Sequence, residues 1–195
     1  MTDIRLQRLA DVLVNYSTSV KPGQWVGILG DVVALPALRE VYKAVIKAGG
    51  NPTLFISDEQ MTRQFTREAN DDQISWLDPS QTLYYEQADV YIRVGGNSNT
   101  RAMSTIDAKR TQKVAASRRS WLDTRLNRAS QGKFKWVGTW FPNEASAQEA
   151  NMSLEEYEDF VFSAAFCDKV DPVAEWRKIS AVQESKVAWL KGKKH

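Results

Sequence analysis

Four short apolar runs, separated from one another by segments of helical spacing, decide which architectures are open to this chain. They are Gln24 to Leu29 closed by Gly30, Asn51 to Ser57, Asp89 to Val94, and Phe134 to Trp140. Between the first two, Leu38, Val41, Tyr42, Val45 and Ile46 mark a helix that Gly49-Gly50 ends. Short polar-punctuated helices fill Glu59 to Gln87, and Ser104 or Thr105 is the candidate cap of a helical stretch, with a break, to about Arg128. A helix carrying Leu6, Leu9, Ala10, Leu13 and Tyr16 precedes the first strand and stops at Pro22-Gly23. After the last strand, Ser153 and Glu156 read as a capping box opening a helix to about Phe166, and Asp171-Pro172 opens another. Strands that alternate with helices pair in parallel through right-handed crossovers. The expectation is therefore an α/β fold: a mostly parallel sheet of about four or more strands with helices on both faces, three-layered, with a flavodoxin-like strand order of 2-1-3-4.

With 195 residues, 43% of them hydrophobic and 10% aromatic, the chain can bury one substantial core, and residues 1–195 read as a single domain. No run approaches the roughly 18 apolar residues needed to span a bilayer, and Met1-Thr2-Asp3-Ile4-Arg5 lacks the layout of a secretory signal. A cytoplasmic protein without membrane contact is expected. One cysteine, Cys167, cannot form an internal disulfide, and the one histidine, His195, is the last residue. HExxH sites, CxxC zinc pairs and Ser/His/Asp triads are thereby excluded within this sequence, whereas carboxylate-only metal sites are not.

In open parallel sheets, ligands sit beyond the carboxyl ends of the strands, where the winding reverses. That places a crevice between the loops after the first and third strands, with Asp31, Gly95, Gly96, Asn97, Asn99 and Arg101 as its candidate residues. The plainer reading gives these glycines and asparagines to turns and caps. Neither GxGxxG nor GxxxxGK[ST] occurs. Lys109 to Lys135 holds nine basic residues against Asp123, and the next block, Asn143 to Trp176, holds nine acids against Lys169. With Trp121, Phe134 and Trp136 interleaved, the basic stretch resembles a single-stranded nucleic-acid surface. The rival reading puts Trp121, Leu122 and Leu126 on a buried helical face and Phe134 and Trp136 on one side of a strand, with the charges solvated or facing the acidic block. The near-neutral total of +2 favours the rival. Cys167 ends an apolar run and reads as a buried structural thiol; Glu155, Glu156, Glu158 and Asp159 read as acids of a helix's first turns.

The run Trp140-Phe141-Pro142-Asn143-Glu144-Ala145-Ser146-Ala147-Gln148-Glu149-Ala150-Asn151-Met152-Ser153-Leu154-Glu155-Glu156-Tyr157-Glu158-Asp159-Phe160 resembles the N-terminal domain of the thermophilic-type metalloaminopeptidases, peptidase family M29. Leu13 to Ser17 with Val20 to Gly23, the Gly49-Gly50-Asn51-Pro52 junction, and Asp171 to Trp176 agree with it. Two positions depart from the family pattern: Asn143 stands where Thr is common after the proline, and Asn151 where Gly is common before the methionine.

The resemblance implies a parent enzyme that removes N-terminal amino acids from peptides with two divalent metal ions of the zinc or cobalt type. Its ligands would belong to a C-terminal catalytic domain beginning after about His195, so no metal or catalytic residue is carried over to this chain, which is expected to be inactive alone and to hold no cofactor. The implied partners are that catalytic domain and a peptide substrate; a homodimer is compatible with the reading, and nucleic acid is not expected. Asp31 to Leu35 and Gly95 to Arg101 are the candidate walls of the substrate chamber. The alternative is a free-standing module that binds a small molecule at the crevice without catalysis, and the third reading is a nucleic-acid binder acting through residues 109–135.

Overall fold

The computed structural model describes residues 3–191 and 193, so the reading of His195 lies outside the described residues. The first helix, α1 (Ile4–Asp11), starts at Asp3, whose carboxylate accepts from the Arg5 amide, and continues as a π-helical stretch over Val12–Ser17. Then follow β1 (Trp25–Asp31), α2 (Leu35–Lys47) and β2 (Asn51–Ser57). Three helices, α3 (Glu59–Glu68), α4 (Asp71–Ser75) and α5 (Pro79–Gln87), lead to β3 (Val90–Gly95). Next come α6 (Ala108–Ser117), α7 (Arg119–Ser130) and β4 (Lys135–Trp140), and the chain finishes with α8 (Glu144–Glu149), α9 (Leu154–Ala164) and α10 (Pro172–Lys191).

The four strands form one sheet in the order β2-β1-β3-β4, all parallel. Alternation along the strands sends Val26 and Ile28 of β1 and Val90, Ile92 and Val94 of β3 into an aliphatic core with α1, α2 and Phe162 of α9. The other face carries Trp25, Leu29, Phe55 and Tyr91, which gather around Tyr84 of α5 and Phe134. Helix α2 thus packs on one face, while the α3–α5 and α6–α7 crossovers lie on the other. The winding reverses between β1 and β3, as the expected order requires.

Several local readings are refined. The helical stretch after β3 starts at Asp107, whose carboxylate accepts from the Lys109 amide at 2.8 Å, and not at Ser104 or Thr105, because residues 100–105 are turns; it breaks at Arg118. Ser153 and Glu156 do form the capping box, and Asp171 caps α10 through the Ala174 amide. Asn143 caps α8 by accepting from the Ser146 amide at 2.9 Å, which a threonine oxygen could also do. Asn151 has φ of 55°, a left-handed conformation that glycine adopts freely and asparagine tolerates, which accounts for the exchange at that position. Among the described residues, no ion pair joins the acidic block to residues 109–135. Glu158 and Asp159 instead pair with Arg5, whose guanidinium also lies over the Phe162 ring at 4.5 Å. No helix among the described residues is long and apolar enough to cross a membrane.

Candidate functional site

Asp31 ends β1 at the switch point, and its carboxylate joins the carboxyl ends of three strands. It accepts from the Gly96 amide after β3 at 3.0 Å and from the Ser57 hydroxyl on β2, and stands 3.6 Å from the Arg93 guanidinium of β3. Glu59, at the start of α3, does the same for the loop after β3 by accepting from the amides of Ser98 (2.9 Å) and Asn99 (3.2 Å). Both acids are therefore engaged in holding loops. The two glycines here answer packing needs: a Cβ on Gly95 would fall 2.7 Å from the Trp140 ring, and one on Gly96 would fall 2.6 Å from Val33.

Over these strand ends, on the α5/α7 face, lies a crevice of about 540 Å³, within the range of sites that hold small organic ligands. Its floor is the sheet, from Leu29 and Asp31 to Tyr91 and Arg93. One wall is α7 together with its N-cap Arg118: Arg118, Trp121, Leu122 and Arg125 line the crevice at the i, i+3, i+4, i+7 spacing of one helical face. Trp121 is buried and donates from its indole nitrogen to Thr82 at 2.9 Å. The Arg125 guanidinium lies over Tyr91 at 5.2 Å and Trp136 at 5.6 Å, and its Nε is buried with no hydrogen-bond partner among the described residues. Asn97 Oδ1 is orphaned in the same way. Tyr85, on the α5 side, has its phenol pushed up to about 12, chiefly by burial and then by the neighbouring Tyr91, so it is neutral at physiological pH and has no role as a base.

Of the candidate residues, Asp31, Gly96 and Asn97 line this crevice, and Gly95 lies beneath Trp140 beside it. Asn99 and Arg101 line a separate polar cleft against α3. There the Asn99 side chain accepts from the Arg101 amide, and Arg101 pairs with Glu149 of α8 at 3.5 Å. The Glu149 carboxyl is held below its usual range, first by the Thr100 hydroxyl and then by Arg101. Sequence reading missed Tyr85, Arg118 and Arg125. A signal existed in the 118/121/122/125 spacing, but the expected buried stripe was Trp121, Leu122 and Leu126, and of these only Trp121 is buried, Leu122 and Leu126 being exposed.

The basic stretch is largely engaged within the fold. Arg110 donates to the carbonyls of Thr66 and Ala69, and Arg128 donates to those of Tyr85 and Ala88. Lys113 pairs with Asp71, and Arg119 with Asp123. Of the interleaved aromatics, Phe134 is buried while Trp136 is exposed, under Arg125. Cys167 is buried and its thiol is pushed up to about 11 by burial first and Asp168 second, as a structural thiol would be. Among the described residues, no three His, Cys, Asp or Glu side chains converge as a metal-ligand set, and the two crevice carboxylates are tied to amides. The donor set at this crevice does not fit a catalytic metal.

The fold and crevice define a doubly wound α/β domain with an open, arginine-rich switch point. A family model for thermophilic metalloprotease (M29) matches residues 2–195, and the chain belongs to that peptidase family. It is similar in structure to wild-type AmpT from Thermus thermophilus, with a TM-score of 0.75 and 18% identity, over 95% of this chain and 48% of AmpT. The chain thus spans about half the length of that relative. The CurK enoyl reductase, at 12% identity over 78% of this chain and 57% of its own, has a TM-score of 0.30, too low to carry an argument. No curated protein matches the chain.

Proposed function

We propose that this chain is the N-terminal domain of a metal-dependent aminopeptidase, in which it walls the substrate chamber while a further catalytic domain holds the two metal ions. The observation that carries this reading is the family match along residues 2–195, together with a structural likeness that accounts for 48% of AmpT. The ions would activate water and polarise the scissile carbonyl in the parent enzyme. The residues of this chain would do different work. Asp31 and Glu59 hold the loop after β3 in place, and the crevice beside it faces the substrate. The domain is expected to act in the cytoplasm, with its catalytic domain and a peptide as partners.

The test is to incubate the 195-residue chain with Zn²⁺ or Co²⁺ and an aminoacyl chromogenic substrate, with and without a catalytic half joined to its C-terminus. Turnover and metal retained after dialysis are expected only in the joined protein. Stoichiometric metal together with turnover by the chain alone would overturn the reading.

A further inference from the structure

The crevice holds three guanidiniums and two carboxylates, and the partners are unevenly distributed. Asp31 and Glu59 are engaged with backbone amides, and Asp31 also faces Arg93. Arg118 and Arg125 have no carboxylate partner among the described residues; both lie against aromatic rings, Arg118 over Trp121 at 5.8 Å and Arg125 over Tyr91 and Trp136. A guanidinium on a ring face keeps its fork of N–H donors free for an anion. The buried Nε of Arg125 lacks an acceptor, and the buried Oδ1 of Asn97 lacks a donor, in the same cavity. A buried polar atom without a partner costs stability, and a ligand that satisfies it recovers that cost.

A ligand meeting these demands carries an anion for the guanidiniums that line the crevice, an N–H for Asn97, and an apolar or flat body for the surfaces of Tyr85 and Trp121. Those are the features of the carboxyl end of a peptide: a terminal carboxylate, the amide N–H next to it, and the last side chain. We infer that the switch-point crevice binds the C-terminal carboxylate of short peptides, preferring an aromatic or large apolar last residue. It rests on the peptidase reading for the choice of a peptide as ligand. In that setting, this domain selects short substrates by their far end while the other domain attacks the near one. Charge-assisted hydrogen bonds dominate such recognition, so each arginine is expected to matter by about tenfold or more.

Calorimetric titration of the 195-residue chain provides the test, since it needs no catalysis. The probes are N-acetyl-Ala-Phe with a free carboxylate, the same peptide as its carboxamide, and phenylpropionate. Saturable binding of the free acid is expected, with at least tenfold weaker binding of the carboxamide. Arg125→Gln and Arg118→Gln should each weaken the acid by about tenfold, and Arg119→Gln, a residue absent from the crevice lining, should not. Asn97→Ala should weaken the acetyl dipeptide and leave phenylpropionate unchanged.

Circular dichroism reports whether each variant folds. If Arg125→Gln does not, Arg118→Gln decides, because that side chain is exposed. Equal binding of acid and carboxamide, no binding up to millimolar peptide, or indifference to the arginine substitutions would each overturn the proposal. Phenylpropionate binding as tightly as the dipeptide would overturn the peptide end as the ligand. Turnover by the joined protein without crevice binding refutes this inference alone, whereas crevice binding without turnover refutes only the peptidase reading.

Discussion

The two faces of the sheet are built to different rules. Against α1, α2 and α9, the strands present valine and isoleucine, and Val26, Ile28, Val90, Ile92 and Val94 are all fully buried. Against α5 and α7, they present aromatic rings around Tyr84, whose hydroxyl donates to the Val90 carbonyl at 2.9 Å. The aliphatic face is filled by branched side chains that interdigitate. The aromatic face is filled around Tyr84, but toward the carboxyl ends of the strands the side chains become Asp31, Ser57 and Arg93, and the crevice opens. One face is filled throughout, while the other is filled around Tyr84 and left open toward the strand ends.

The largest expected effect comes from the filled face. Phe162→Ala, which removes a ring with 2% exposure, should lower unfolding stability by about 3–5 kcal/mol in a urea titration. A loss below about 1 kcal/mol would mean that α9 contributes little to that core.

The next effect compares two glycines of the aromatic face. A Cβ on Gly27 would fall 2.1 Å from the Tyr84 ring, whereas one on Gly138 meets nothing within 4 Å. Gly27→Ala should therefore cost about 1–3 kcal/mol, from displacement of a packed ring. Gly138→Ala should be neutral, or stabilising by up to about 1 kcal/mol through the unfolded chain. Equal effects at the two positions would contradict the division of that face into a packed part and an open part.

A smaller effect depends on pH. The Cys167 thiol is raised to about 11 in the fold, against roughly 8.5 for a free thiol. Between those values, the folded state keeps a proton that the unfolded state has lost, so stability is complete below about pH 8.5 and falls as pH rises toward 11. Melting temperatures at pH 7.5 and 10 should diverge more for the native chain than for Cys167→Ala; parallel shifts would show that this thiol is not the source. The smallest effect is Asn151→Gly. It relieves a left-handed asparagine but loosens the unfolded chain, and should stay within about 0.5 kcal/mol by thermal melting.

Much of this was legible in the residue order. The alternation of apolar runs with helical spacing carried the parallel sheet and its four members, because each run alternates sides or is bounded by glycine, while the order β2-β1-β3-β4 agrees with a flavodoxin-like expectation that periodicity alone does not impose. Caps at Ser153 and Asp171 could be read because an N-cap needs only its own oxygen and an amide two or three residues on. The crevice was legible only in outline. Asp31, Gly96 and Asn97 lie in the loops that the topology points to, but Asn99 and Arg101 are turned into another cleft by contacts with Glu59 and Glu149.

The sequence by itself therefore determined the elements and their parallel pairing, since these follow from periodicity and from the handedness of crossovers. Only the tertiary structure decided which charges are free. Arg110 and Arg125 look alike in a basic stretch, yet one is fastened to the carbonyls of Thr66 and Ala69 while the other lies over Tyr91 and Trp136 beside an open crevice. The reason is that an arginine's partner is whatever atom lies within hydrogen-bonding reach in space, and those carbonyls come from a segment 41 to 44 residues away for one arginine, while the rings come from two separate strands for the other.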